Sequence, residues 1–299
     1  MTRINTFKAG VCALAVSGLF APASPASADE PVELPPTSNW NLRYDKEACR
    51  LVRTFGEGRN EVVLILVKYT PGTEMEIIAS GIPLKNSKSN SFHFGFDPQE
   101  SRDIETPLFG ETENGGTIWQ FSSGLIPNDQ LESLKEGEAS REQLKTAEMS
   151  AAATIGSVTF LRGIKQPVRL RTGKLTGALK AMDNCLNDLV KSWGLDPLEQ
   201  ATLISEPKPK GSPGSWIRTR DYPQGALRNS ISGNVRFRLQ VTSTGDVDQC
   251  IVQSSYSDPA FPNVVCNKMK KRAKFEPARN ANGEAVGSYW ASAVTFKVY

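Results

Sequence analysis

Two kinds of hydrophobic pattern run along this chain. Short apolar stretches and period-two alternations dominate its first half, and a long 3.6-residue stripe follows them. Residues 48–54 and 61–69 (EVVLILVKY) are rich in Val, Ile and Leu and predict strands, with a third at 75–80. Residues 91–96 (SFHFGF) alternate aromatic with small or polar side chains, as a half-buried strand does. Residues 117–121 and 158–161 complete the expected mixed sheet. Over residues 174–193, Leu175, Ala178, Leu179, Met182, Cys185, Leu186, Leu189 and Val190 share one helical face, and Gly194 and Pro197 end the helix. Residues 141–151 predict a second, weakly amphipathic helix inside an acidic run, residues 100–148, that holds eleven acids against four bases and reads as a solvated face.

Punctuation divides the chain. Pro31, Pro35 and Pro36 mark residues 29–39 as a flexible tail. An α+β domain spans 40–197, and residues 198–214 alternate Pro with Lys before turning Gly-rich, as a linker does. A smaller domain follows at 215–299. In NVRFRLQV (234–241), Val235, Phe237, Leu239 and Val241 face one way, while Asn234, Arg236, Arg238 and Gln240 face the other. That is an antiparallel strand with one wet face. Gly245 and Asp246 form a turn into a return strand at 247–254. Asp258-Pro259 starts a helix, with Pro262 competing for its first residue. Phe261, Val264, Val265 and Met269 form its apolar face, and Lys268, Lys270, Lys271 and Arg272 load its C-terminal end. Residues 289–298 form a last strand with Val294, Phe296 and Val298 inward.

This second domain resembles the C-terminal domain of the TonB family. Tyr222-Pro223 with Ala226 precedes Gly233 at the family spacing. Gly245 marks the hairpin, Ser254-Ser255 ends the second strand, and Lys274-Phe275-Glu276-Pro277-Ala278 matches the segment after the helix. The resemblance implies an antiparallel three-stranded sheet plus a helix, in a βαβ-type order, and no enzymatic activity. It implies a periplasmic protein in TonB-dependent transmembrane transport, whose last strand captures a short outer-membrane receptor segment by β-strand addition. The family edge maps onto Tyr289, Trp290, Ala291, Ala293, Thr295 and Lys297, and the family's entry segment onto Arg218, Thr219, Arg220, Asp221, Tyr222 and Pro223. Taken as a domain-entry turn, Tyr222-Pro223 has an equally good structural reading. Family transducers also carry an uncleaved N-terminal helix that docks on an ExbB–ExbD motor, and a long Pro-rich rod. In this chain a cleavable leader stands in place of that helix, an ExbB–ExbD-type motor stays a candidate partner, the 198–214 linker is a short echo of the rod, and a folded domain precedes the module. A periplasmic scaffold or sensor using the same edge without energy coupling is the alternative.

The first 28 residues support export. Arg3 and Lys8 precede a short apolar run that Pro22 interrupts, and Ala26-Ser27-Ala28 forms a small-residue cleavage site. Cleavage leaves Cys49, Cys185, Cys250 and Cys266, an even set in an exported chain, which reads as disulfides. Four cysteines allow three pairings; local pairing, Cys49–Cys185 and Cys250–Cys266, is the simplest. There is no CxxC, and His93 is the single histidine of the 299 residues, so neither a zinc site nor Ser/His/Asp chemistry is expected. No GxSxG, paired-carboxylate motif or phosphate loop occurs. Residues 213–299 hold twelve Lys or Arg against six Asp or Glu. Such a basic surface suits acidic receptor segments, anionic lipid or the chain's own acidic half. Export excludes nucleic acid as a partner, and no cofactor is implied.

Overall fold

The computed structural model describes residues 30–87, 92–104, 107–256 and 258–298. The expected leader, residues 1–28, lies outside them, as does Ser91. From Pro31 onward the chain is one compact body.

The β-branched runs form strands where sequence places them, but they build two sheets rather than one. The strands are β1 (Val32–Leu34), β2 (Asn41–Tyr44), β3 (Cys49–Phe55), β4 (Val62–Lys68), β5 (Glu74–Gly81), β6 (Phe92–Asp97), β7 (Arg102–Ile104), β8 (Leu108–Glu111) and β9 (Thr117–Gly124). Helices α1 (Asn128–Glu136) and α2 (Arg141–Thr154) follow, then β10 (Ser157–Phe160) and β11 (Val168–Leu170). One sheet is antiparallel, in the order β2-β3-β4-β5-β9-β8. The other runs β1-β11-β10-β6-β7, with β1 parallel to β11. Helix α3 (Thr176–Ser192) shares a single apolar cluster with both sheets, which Phe92, Phe94, Phe96, Trp119 and Phe160 fill. A second sheet arises because the SFHFGF strand pairs with β10 and β7 and not with its chain neighbour β5. Register across a core is decided by which faces meet, and that is not written in either strand alone.

The proline-rich tail is not loose. Val32 and Leu34 pair with Val168 and Leu170, and Leu34 joins the core. Pro35 and Pro36 follow β1, where a proline's missing donor costs the ladder nothing. The acidic run also has an inward exception: Glu148 on α2 is buried and holds Lys68 of β4 at 2.7 Å.

Both local disulfides form, Cys49–Cys185 and Cys250–Cys266, with Cα atoms 6.1 and 5.4 Å apart. The first staples α3 onto β3. It closes a loop of 136 residues, so a Cys49→Ala/Cys185→Ala variant is expected to lose ~5 kcal/mol on the chain-entropy model. Urea unfolding with and without reductant checks this; equal midpoints would show that the staple adds nothing.

The Pro/Lys stretch is ordered along the second half of the body. It contributes α4 (Pro197–Ala201) and β12 (Lys208–Pro209). Beyond lie α5 (Gln224–Arg228), β13 (Gly233–Val241), β14 (Val247–Tyr256) and α6 (Ala260–Arg272). The short pieces β15 (Phe275–Glu276), β16 (Ala278–Arg279) and β17 (Ala285–Val286) lead to the last strand, β18 (Ser288–Phe296). β12 pairs with β15. The three long strands form an antiparallel sheet, β14-β13-β18, and α6 packs on β13 and β14. Pro262 sits inside the first turn of α6, where N–H groups have no helical partner anyway. A second apolar cluster lies here, separate from the first, around Phe237, Leu239, Phe261, Val265 and Phe275.

Candidate functional site

Among the described residues β18 pairs only with β13, so its far side is a sheet edge there. Which of its backbone groups face outward follows from the hairpin. Thr242 donates its N–H to Asp246 O across the turn, so even-numbered residues of β13 bond toward β14. Odd-numbered residues Gly233 to Val241 therefore bond toward β18, where they oppose Phe296, Val294, Ser292, Trp290 and Ser288. The alternate residues Tyr289, Ala291, Ala293 and Thr295 turn N–H and C=O away from the sheet. Two contacts agree with this parity. Gly287 O, in the outward set, accepts from Gln200 Nε2 at 3.0 Å, and Val298 N, in the inward set, donates to Ser232 Oγ at 3.2 Å.

The outward row is not open along its whole length. Ser288 and Tyr289 are buried. Gln200, on α4, donates to Gly287 O and accepts from Ser288 Oγ at 2.6 Å, so its amide sits where the first residue of an added strand would pair. The Tyr289 ring meets Trp193 edge-on at 5.0 Å and lies under the Arg141 guanidinium, which Glu206 holds at 2.7 Å. Burial pushes the Tyr289 phenol up. Tyr289 is thus taken up by the preceding half of the chain, leaving Ala291, Ala293 and Thr295 as outward backbone that nothing in the described residues pairs.

The entry segment separates in the same way. Tyr222 is buried, donates its hydroxyl to Ile231 O at 2.7 Å, and packs on Phe261 and Phe296. Its turn reading is the one the geometry favours. Asp221 is buried and paired with Arg272 at 2.5 Å and Lys268 at 3.1 Å. The Arg272 guanidinium, the Arg218 N–H and the Lys268 ammonium together hold its carboxyl well below the usual carboxylate range. A depressed carboxyl stabilises the fold above its unfolded pKa, about 3.9, and that stability is lost as pH falls. Asp221→Asn is expected to lower the melting temperature near pH 7 and to flatten its fall below about pH 4. A parallel acid curve for both proteins would refute this role. Arg218, Thr219 and Arg220 remain exposed, and Pro223 is half-buried. Trp290 is a packing residue, against Trp216 and Phe275. Lys297 is exposed.

The face of β13 expected to be wet is instead docked. Arg238 is 4% exposed, stacks 4.0 Å over the Trp193 ring and reaches Glu47 at 3.4 Å. Arg236 lies 5.0 Å over Tyr69, and Gln253 Nε2 donates to Tyr69 O. Burial lowers the pKa of Arg238. Neither Gln200 nor Trp193 was legible as part of the site, because each reaches β18 or β13 only through the tertiary fold.

Other titratable groups of the described residues have structural partners. His93 pairs with Asp103 of the adjacent strand at 2.6 Å. Among the described residues no group of three or more His, Cys, Asp or Glu is placed to hold a metal, and no helix is long and apolar enough to cross a membrane.

The residues motivating the family resemblance have structural roles. Gly245 has φ +85°, and an added Cβ would meet Phe275 O at 2.0 Å. Phe275 in turn donates its N–H to Gly245 O, so the segment after α6 crosses directly on the hairpin. Residues 218–298 match the family described as Gram-negative bacterial TonB protein C-terminal. The match covers well under half of the chain, and the two-sheet half falls outside it. No curated protein and no solved structure matches the chain.

Proposed function

We propose that this protein is a periplasmic strand-capture protein of TonB type, whose C-terminal module binds extended segments of outer-membrane receptors in TonB-dependent transport. The observation that carries the reading is the outward N–H and C=O row of Ala291, Ala293 and Thr295 on the last strand of a segment matching the TonB C-terminal family. A sheet edge of this kind accepts a partner through main-chain hydrogen bonds, which demand an extended conformation more than a particular sequence. The chain binds without chemistry of its own, and no catalytic group is assigned. Export through the basic, apolar and small-residue leader places the edge in the compartment that receptor segments reach.

The N-terminal half is part of the binding module's framework in this reading. It covers the polar face of β13 and closes one end of the edge, which confines capture to one side of β18. The test uses the full chain with its disulfides intact, since a piece starting near residue 213 would expose Arg238 and Gln240. Immobilised protein is incubated with solubilised outer-membrane proteins, and the retained receptors are identified by mass. Enrichment of receptors by the wild type but not by Thr295→Pro supports the reading. Equal recovery by both, or recovery of no receptor, would end it.

A further inference from the structure

We propose that a cavity between the end of α3 and the polar face of the C-terminal sheet is a binding site for an uncharged saccharide. The cavity has a volume of about 720 Å³, within the range of small-molecule sites. Three elements wall it. The turn from β2 into β3 brings Tyr44 and Glu47, the end of α3 brings Asp188 and Trp193, and β13 and β14 bring Arg238 and Gln249. The Cys49–Cys185 bridge, from β3 to α3, fixes the first two walls against each other, and Cys185 itself lies on the cavity. The site does not depend on strand capture, because β18 contributes no residue to it.

The lining selects the chemistry of the ligand. Arg238 is 4% exposed and donates from Nη1 to Gln240 Oε1 at 2.9 Å and from Nη2 to Glu47 Oε2 at 3.4 Å. Its Nε is nevertheless buried with no hydrogen-bond partner among the described residues, and so is the Nε1 of Trp193. Unpaired buried donors are costly and are the exception in folded proteins, so two of them on one cavity call for acceptor oxygens. The carboxylates of Asp45, Glu47 and Asp188 line the same cavity and call for donors. A bare anion would meet three carboxylates, and a bare cation would leave both donors unanswered. A hydroxyl serves both needs, because one oxygen donates and accepts. Tyr44, 59% exposed, adds a largely uncovered ring on which the C–H face of a pyranose can stack. Leu189 and Ile251 supply apolar wall. Planar carboxylate, amide and guanidinium groups can each hold two neighbouring hydroxyls, which a polyhydroxyl ligand offers and a simple alcohol does not. A free sugar and a unit of a glycan chain share this chemistry.

The full chain with its disulfides intact is titrated with maltotriose, with N,N′-diacetylchitobiose and, as a zwitterionic control, with dialanine. Binding is read by saturation-transfer NMR and calorimetry, and sedimentation with insoluble chitin separates a glycan chain from a free sugar as the source. A saccharide is expected to bind and dialanine is not. Affinity should hold at about 0.5 M salt, because no ion pair is made with the ligand. Tyr44→Ala and Gln249→Ala, both exposed and from different walls, should weaken binding by about tenfold and about threefold. Both variants are expected to melt with the wild type, since exposed substitutions are nearly neutral for stability. Gln249 belongs to the C-terminal module, so its effect places the ligand in the cavity and not elsewhere on the first half. No binding of either saccharide or of chitin would overturn the inference, as would a preference for dialanine or saccharide binding that neither substitution weakens. Strand capture at β18 would stand in each of these cases.

Discussion

Thr295→Pro is expected to weaken capture of an extended peptide by at least about tenfold, the loss of an interfacial hydrogen bond made worse by the ring's bulk. Thr295 lies in the outward set of β18, so its N–H belongs to the partner and not to β13. Proline on a sheet edge with its missing donor toward solvent is tolerated by the fold. The melting temperature of this variant should therefore stay close to wild type. Thr295→Ala keeps the N–H and should bind within about a factor of two, since exposed side-chain changes are nearly neutral. Val294→Pro provides the contrast. Val294 opposes Val235 in the inward set, so proline there removes a ladder bond and should destabilise the module itself. A folded Thr295→Pro protein that bound like wild type would exclude strand addition at this edge.

The second large effect lies far from the edge. Lys68→Met is expected to cost ~3–5 kcal/mol, the range for breaking one side of a buried ion pair. Lys68 is 1% exposed and donates to both carboxylate oxygens of Glu148 and to Gly72 O. Removing it strands a carboxylate that burial already pushes up in pKa against the pull of Lys68. The sign of the pH dependence follows. In the variant, the folded carboxyl lies further above its unfolded value of about 4.3, so the deficit grows as pH rises through that value and shrinks below it. Lys68→Met/Glu148→Leu should recover most of the loss, because apolar residues of similar volume replace buried pairs at little cost. Urea unfolding at pH 4 and pH 7 measures all three proteins. A Lys68→Met loss below about 1 kcal/mol at pH 7 would mean that the pair is solvated in practice.

The two predictions meet in the role of α2. Glu148 fixes that helix onto β4, and Arg141, at its start, lies over Tyr289 and bonds Gln200 O. The closed end of the β18 edge is thus built on elements that the buried pair holds in place.

Much of the architecture is written locally. The 3.6-residue stripe fixed α3, with Leu179, Met182, Cys185, Leu186, Leu189 and Val190 all buried. Runs rich in Val, Ile and Leu fixed β3 and β4, and period-two alternation fixed β13, each to within a residue or two. Such patterns survive in sequence because each element must bury its own face, whatever lies opposite. The order of motifs from Tyr222 to Ala278 fixed the TonB-like module, since Gly245 and Phe275 meet through a short turn chemistry that tolerates few substitutes. Local spacing also sufficed for Cys250–Cys266.

What lay beyond the sequence were the choices made between faces. The polar side of β13 read as wet because alternation reports polarity and not the neighbour. Arginine can be buried when an aromatic ring and a carboxylate receive it, as Trp193 and Glu47 receive Arg238. Tyr289 and Ala291 look equivalent in sequence, yet one is roofed by Trp193 and the other is not. The outward direction of Thr295's N–H follows from a hydrogen bond at Thr242, more than fifty residues earlier in the chain. Sequence alone therefore determined that a module resembling the TonB C-terminal family ends in a strand here. The tertiary structure decided which three of its residues remain open, because hydrogen-bond parity and burial are properties of the elements packed around a strand and not of the strand itself.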